Sequence, residues 1–193
     1  MLRNKLGFTL IELLVVITII SIAITMAVPT WERASQKRRL TNATEQVAAF
    51  LITAQSQAQK RNRPVSLSYH HSGNQDWCVG AALGAVGCDC TETDTSSAQY
   101  CSINGNTSSI QAESFQFLSL IAASDGQPVD GDSYITFDPI RGILQPIGDK
   151  LSFTFESTGG YFQLQLRVSP TGLLTICNPD ESREVGGYFI CAA

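Results

Sequence analysis

Glu12 is the only charged side chain in a run of 21 residues, 8–28, made mostly of Leu, Ile, Val, Ala and Phe. A carboxylate in hydrocarbon costs a few kcal/mol or more, so one kept there is expected to pair with a cation. Cys78, Cys88, Cys90, Cys101, Cys177 and Cys191 are the second set with chemistry. Their even number, with no histidine cluster beside them, suits oxidation to disulfides better than zinc. Cys88-Asp89-Cys90 and the Cys78 to Cys88 spacing do not make paired CxxC knuckles. His70 and His71 are adjacent, so on a strand they face opposite ways and do not share a metal. Asp89, Glu92, Asp94 and the pair Asp130, Asp132 offer oxygen ligands without EF-hand spacing and read as solvated turns. No Gly-x-Ser-x-Gly, P-loop or dinucleotide fingerprint is present. No catalytic residue, metal or cofactor is therefore expected, and the chain does not read as an enzyme.

The elements that would position these groups can be read from patterning. At 1.5 Å per residue, the run 8–28 spans roughly 30 Å as a helix, a full bilayer core. It is too long for a signal-peptide core, and no good small-residue cleavage site succeeds it. Arg3 and Lys5 before it place the N-terminus in the cytoplasm, although Arg33, Lys37, Arg38 and Arg39 beyond it pull the other way. Past Pro29, residues Trp31, Leu40, Val47, Phe50, Leu51, Ala54 and Ala58 recur at helical intervals. Asn62-Arg63-Pro64 ends the pattern, because proline disfavours helix in the residue before it. One helix over 8–61 is expected, its second half packed on the head formed by the rest of the chain.

Residues 64–193 read as strands separated by Gly, Pro and Asp turns. Strands are expected at 65–70, 76–80, 114–121, 133–137, 151–155, 162–168, 173–177 and 187–191, with a long crosslinked loop at 83–109. The fold class is α+β: a long N-terminal helix on an antiparallel β-sheet head. Residues 31–63 carry seven basic and two acidic side chains, and residues 64–193 four basic and fourteen acidic ones. A basic neck thus adjoins an acidic head, which repels phosphate backbones, so strong nucleic-acid binding is not expected. Lys37-Arg38-Arg39, beside a membrane helix, is expected to meet headgroups or partner subunits.

Cys177 and Cys191 are expected to form a disulfide. The turn chemistry of Asn178-Pro179-Asp180 and Gly186-Gly187 reverses the chain between them. The other four cysteines then pair among themselves. A Cys88–Cys90 bridge strains disulfide geometry, so Cys78 takes Cys88 or Cys90 and Cys101 takes the other.

Gly7-Phe8-Thr9-Leu10-Ile11-Glu12 resembles the processing motif of type IV pilins and pseudopilins. Ile135-Thr136-Phe137-Asp138-Pro139, Gly142, Leu166-Arg167-Val168-Ser169-Pro170-Thr171-Gly172 and Leu174-Thr175-Ile176-Cys177 are similar to the GspH/FimT branch of minor pilins and minor pseudopilins. The resemblance implies a leader, 1–7, removed after Gly7 by a prepilin peptidase that N-methylates Phe8. It implies a transmembrane stretch 8–29, an amphipathic continuation 30–63 and a disulfide-linked head, 64–193, in the periplasm. Glu12 would be the acidic residue of the stem, facing the amine of Phe8 on a neighbouring subunit or its own. The implied role is a minor pilin that helps start or cap a type IV pilus. The partners would be other minor and major subunits, the peptidase and inner-membrane lipid. A minor pseudopilin of type II secretion is the alternative within the family. A DNA receptor for transformation is disfavoured, because a basic Gly-Arg-x-Arg stretch is replaced here by Gly172-Leu173-Leu174-Thr175.

Overall fold

A computed structural model describes residues 9–73, 75–115, 118–123, 133–145 and 150–191. The chain divides into two compact units, Met1–Ser35 and Gln36–Ala193. Helix α1 (Leu10–Arg61) supplies residues to both. In the first unit the side chains of residues 10–25 are all exposed, as is Trp31 at 74%. The expected stripe is present from Leu40 onward, but Trp31 does not belong to it.

In the second unit, Leu40, Ala43, Val47, Leu51, Ala54 and Ala58 step along α1 at intervals of three and four and are buried in the core. The helix stops because Asn62 takes a left-handed conformation (φ 50°), and the N–H groups of Asn62 and Arg63 donate to the carbonyls of Gln59 and Ala58. These are the two bonds of a Schellman cap, with asparagine where glycine is commoner.

The remaining strands are β1 (Val65–Gly73), β2 (Asp76–Leu83), β3 (Ser102–Ile103), β4 (Asn106–Thr107), β5 (Ser109–Gln111), β6 (Leu118–Ala123), β7 (Ser133–Phe137), β8 (Leu144–Gln145), β9 (Leu151–Ser157), β10 (Gln163–Val168) and β11 (Leu174–Cys177). They form a five-stranded sheet in the order β5-β2-β1-β7-β8, a four-stranded sheet β11-β10-β9-β6 and the small hairpin β3-β4. Every ladder between them is antiparallel. Period-two alternation turns Leu151, Phe153 and Phe155 of β9 and Leu164, Leu166 and Val168 of β10 into the core. The two sheets meet through rings: Tyr69 lies edge-on to Phe153 at 5.6 Å, and Trp77 is tilted against Phe155 at 5.4 Å. Such pairs contribute about 0.5–1.5 kcal/mol beyond the area they bury.

β1 is buried on both faces, which alternation alone did not suggest. Its outer serines are covered by the cysteine loop: Ser66 donates to the carbonyl of Val86 at 2.8 Å, and Ser68 accepts from the amide of Cys88 at 2.9 Å. Disulfides join Cys78 to Cys90 and Cys88 to Cys101, and the four cysteines form a small buried cluster of their own. Gly80 in β2 leaves room for it, since a Cβ there would stand 2.3 Å from the Cys101 sulfur.

Three segments differ from expectation. The loop 83–109 contains the hairpin β3-β4, closed by Asn104 and Gly105, both left-handed (φ 61° and 74°). An Asn-Gly pair suits a two-residue hairpin turn that needs positive φ at both positions. Residues 112–114 form a 3-10 turn, so β6 starts only at Leu118. The stretch 187–191 is not a strand but makes one parallel bridge, Asn178 to Ile190. Buried Asn178 draws the segment in: its side chain donates to the carbonyls of Val185 (3.3 Å) and Tyr188 (2.8 Å) and accepts from the Val185 amide (2.8 Å).

Cys177 is joined to Cys191, closing this segment into a loop with a sequence separation of 14. Replacing both by serine is expected to lower stability by about 3 kcal/mol, the chain-entropy value for a ring of this length. Amides of residues 178–191 should exchange fast in that variant while those of β9 and β10 stay protected. Continued protection of 178–191 would contradict this.

Candidate functional site

The stem's hydroxyls bond back to their own helix. Thr18 donates to the carbonyl of Val15, Ser21 to that of Ile17 and Thr25 to that of Ile22, at 2.7–2.8 Å. Each hydroxyl is thus satisfied by a carbonyl of its own helix. Leu10, Ile11, Leu13, Leu14, Ile17, Ile19, Ile20, Ile22 and Ile24 are all at least half exposed, so the apolar surface surrounds the helix instead of forming a stripe. Among the described residues, no helix is long and apolar enough to cross a membrane. The apolar run in the sequence begins at Phe8 and continues to residue 28, beyond the stretch whose side chains are described.

Glu12 sits in the first turn of α1, and its amide donates to the hydroxyl of Thr9 at 3.3 Å. Thr9-Leu10-Ile11-Glu12 has the spacing of a capping box, in which threonine precedes the helix and glutamate is its third residue. Patterning for charge missed this, although the T-x-x-E signature was present. The Thr9 hydroxyl thus caps the start of α1, and Glu12 stands in the first turn, where the helix dipole favours a negative charge. Gly7, Phe8 and the leader lie outside the described residues, as do Asp130 and Asp132.

On the head, two turns are clamped to α1. Asp138 caps the first turn, its carboxylate accepting from the amides of Ile140 (3.0 Å) and Arg141 (2.7 Å). The second turn is closed by the Gly172 amide donating to the carbonyl of Ser169. Gly142 (φ 68°) and Gly172 (φ 81°) end the two turns, and the Gln55 amide donates to both of their carbonyls, at 2.7 and 3.0 Å. Ile140 and Leu173 project outward at 79% and 64% exposure. Gln55 was not singled out by sequence, because its partners lie 87 and 117 residues away.

The C-terminal loop is fastened similarly. The Arg183 guanidinium pairs with Glu156 at 2.6 Å, and Tyr188 donates to Glu45 of α1 at 2.8 Å. Burial, then the Glu45 hydrogen bond and charge, push the Tyr188 hydroxyl up to about 12, so it stays a donor at neutral pH.

The sequence profile of the family described as type II transport protein GspH matches residues 43–172, about two thirds of the chain. This stretch holds Gln55 and both clamped turns. The chain belongs to the GspH family. A second profile, the prokaryotic N-terminal methylation motif, matches residues 2–28. An uncharacterised protein of Haemophilus influenzae is 35% identical over 86 residues, 44% of this chain and 51% of that protein. The match spans about half the length of that relative. Two crystal forms of the type IV minor pilin FimU of Pseudomonas aeruginosa are also similar. One has 19% identity over 74% of this chain and 90% of that one, with TM-score 0.49. The other has 18% over 71% and 91%, with TM-score 0.45.

Two sequence segments of this GspH-family chain, Asp138 to Gly142 and Ser169 to Gly172, thus meet at one helix glutamine. Their arrangement ties the turns that follow β7 and β10 to α1. Three of the other groups weighed for chemistry, His71, Asp89 and Asp94, are engaged locally. His71 makes a 2.7 Å bond with the carbonyl of Leu120. Asp89 takes the amide and hydroxyl of Thr91, and Asp94 those of Ser96, bonds that hold both carboxyls below their usual range. At the place where a basic stretch would contact DNA stand exposed Leu173 and half-buried Leu174.

Proposed function

We propose that the chain is a minor subunit of a type IV pilus that, with sister minor subunits, helps start or cap the filament. Residues 1–7 are a leader, 8–29 a single inner-membrane span, 30–63 its amphipathic continuation and 64–193 a periplasmic head. A prepilin peptidase cuts after Gly7 and methylates Phe8. The observation that carries this reading is the all-round apolar stem with one carboxylate in its first turn, Glu12. Removal of 1–7 leaves a positive amine on Phe8, beside the positive end of the α1 dipole, where a cation is disfavoured. A carboxylate one turn away, on the same or a neighbouring subunit, offsets that repulsion and is itself neutralised.

The stem's apolar surface packs among the stems of major and minor subunits, while the head selects neighbours. GspH-family proteins are structural subunits, and no step of this role calls for bond chemistry beyond the processing itself. A minor pseudopilin of type II secretion is the second reading, favoured by the description of the matched family. A DNA receptor is disfavoured by the acidic head and by Leu173 and Leu174.

Filaments sheared from cells and analysed by mass spectrometry are expected to contain the chain with N-methyl-Phe8 as its first residue. An intact Met1 in assembled filaments refutes the processing. Absence from pili, with a deletion that leaves pilus number unchanged and blocks protein secretion, selects the second reading.

A further inference from the structure

Cys78, Cys88, Cys90 and Cys101 follow one another along the chain, but their bridges interleave: the first joins the third and the second joins the fourth. Cys177 and Cys191 simply pair as neighbours in sequence order. The interleaved order is not the one a flexible chain forms first. Its rivals are the consecutive pairing, Cys78–Cys88 with Cys90–Cys101, and one that needs a strained Cys88–Cys90 bridge. The native bridges have sequence separations of 12 and 13, and the consecutive ones are each two residues shorter. Loop-closure entropy therefore favours the consecutive pairing, by less than about twofold.

What selects Cys90 for Cys78 lies downstream of all four cysteines. β5 pairs with β2 so that Gln111 stands opposite Cys78. The Gln111 side chain donates to the carbonyl of Cys90 at 2.6 Å. The Ser108 amide donates to the carbonyl of Cys101 at 2.9 Å, and the Ser108 carbonyl accepts from the amide of Ala81 in β2 at 2.8 Å. Residues 108–111 thus bring Cys90 and Cys101 up to β2. A head that follows the stem through the membrane emerges N-terminal end first, so Cys78 and Cys88 meet oxidant before these residues do. The packed loop then seals the sulfurs: Cys78, Cys90 and Cys101 are at most 3% exposed and Cys88 is 7% exposed.

We propose that the head is a substrate of a thiol–disulfide isomerase, which converts Cys78–Cys88 and Cys90–Cys101 into the interleaved pairs before the loop packs. The proposal rests on the extracytoplasmic head of the reading above. The isomerase thiolate attacks the Cys88 sulfur, forming a mixed disulfide and releasing the Cys78 thiolate. The Cys78 thiolate attacks the Cys90 sulfur, which makes Cys78–Cys90 and releases the Cys101 thiolate. The Cys101 thiolate then attacks the Cys88 sulfur, which makes Cys88–Cys101 and returns the isomerase thiolate. Two bridges within the head are exchanged for two others, so no net oxidant or reductant is consumed. Packing of the loop on β1 and β5 buries the product and draws the exchange forward.

The test expresses the full chain in bacterial hosts with and without a periplasmic disulfide isomerase, the disulfide-forming oxidase being present in both. Free thiols are alkylated at lysis. Cleavage within 79–87 and before Asp89 and Asp94 separates the four cysteines, so non-reducing mass spectrometry reads each pairing. Cys78–Cys88 is expected to be rare with the isomerase and to reach about half of the chains or more without it. Cys177–Cys191 should form equally in both hosts. C88A/C101A removes the competing partners and should carry Cys78–Cys90 at the same level in both, even where the unaltered chain is degraded for want of the isomerase. Interleaved pairing at equal levels in both hosts overturns the proposal, as does an isomerase requirement that persists in C88A/C101A. Cysteines found reduced in both hosts are a different outcome, which removes the extracytoplasmic reading and the isomerase with it.

Discussion

Glu12→Ala, Glu12→Val and Glu12→Gln should each leave the leader cut and the head oxidised, yet reduce the subunit's share in filaments at least about tenfold. The charge pair proposed for Glu12 forms in an apolar setting, where a hydrogen bond to a charged group is worth about 1.5–3 kcal/mol, or roughly ten- to a hundredfold. Glutamine makes this test specific. The Thr9 hydroxyl caps the helix through the backbone amide of residue 12, so Glu12→Gln keeps that bond and removes the charge. Quantitative mass spectrometry of sheared filaments against whole membranes gives the ratio. Wild-type incorporation of the Gln variant would sink the charge-pair role.

Gly172→Ala is expected to destabilise the head by about 3 kcal/mol. Part of this is conformational, since a left-handed residue with a Cβ costs roughly 1–2 kcal/mol, and Gly172 has φ 81°. The larger part is contact. A Cβ there would stand 2.1 Å from the carbonyl oxygen of Gly142 and 2.5 Å from the Gln55 amide nitrogen. Relieving it separates the two turns and costs overpacking strain of about 1–3 kcal/mol. Gly105→Ala is the control. Its φ is 74°, but a Cβ there meets nothing within 4 Å, so it carries the conformational part only. Denaturant melts of the oxidised protein compare the two. If Gly172→Ala costs no more than Gly105→Ala, the packing account of the clamp is wrong.

What the sequence made legible is what depends on neighbours along the chain. The α1 stripe from Leu40 to Ala58, its stop at Asn62, and the alternation of β9 and β10 are local patterns, and burial tracks them. Asn104-Gly105 is equally local but is hidden, because the surrounding polar composition of 83–109 reads as loop. The stretch 187–191 misleads in the opposite direction. It has the composition of a strand, but Gly186 and Gly187 open it, and its backbone pairs only at Asn178, whose amide and carbonyl bond Phe189 and Cys191 while its side chain holds Val185 and Tyr188. At the candidate site, the stem motif was readable from residue types alone. Gln55, Arg183 and Glu45 were not, because a polar residue on a helix or loop reveals nothing of partners that lie 27 to 143 residues away in the chain. The partner of Cys78 stayed open for a similar reason: Cys88 and Cys90 differ by only two positions, and the covering of β1 by the loop decides between them.

That cysteine loop has a consequence for resistance to proteases. Residues 91–99 are mostly exposed and polar, the sort of segment proteases nick first. The bridges Cys78–Cys90 and Cys88–Cys101 overlap in sequence, so any single cut between 78 and 101 falls within at least one closed ring. A nicked head would run as two fragments only after reduction, and in the filament it would lose no piece. A first cut in this exposed loop therefore releases nothing.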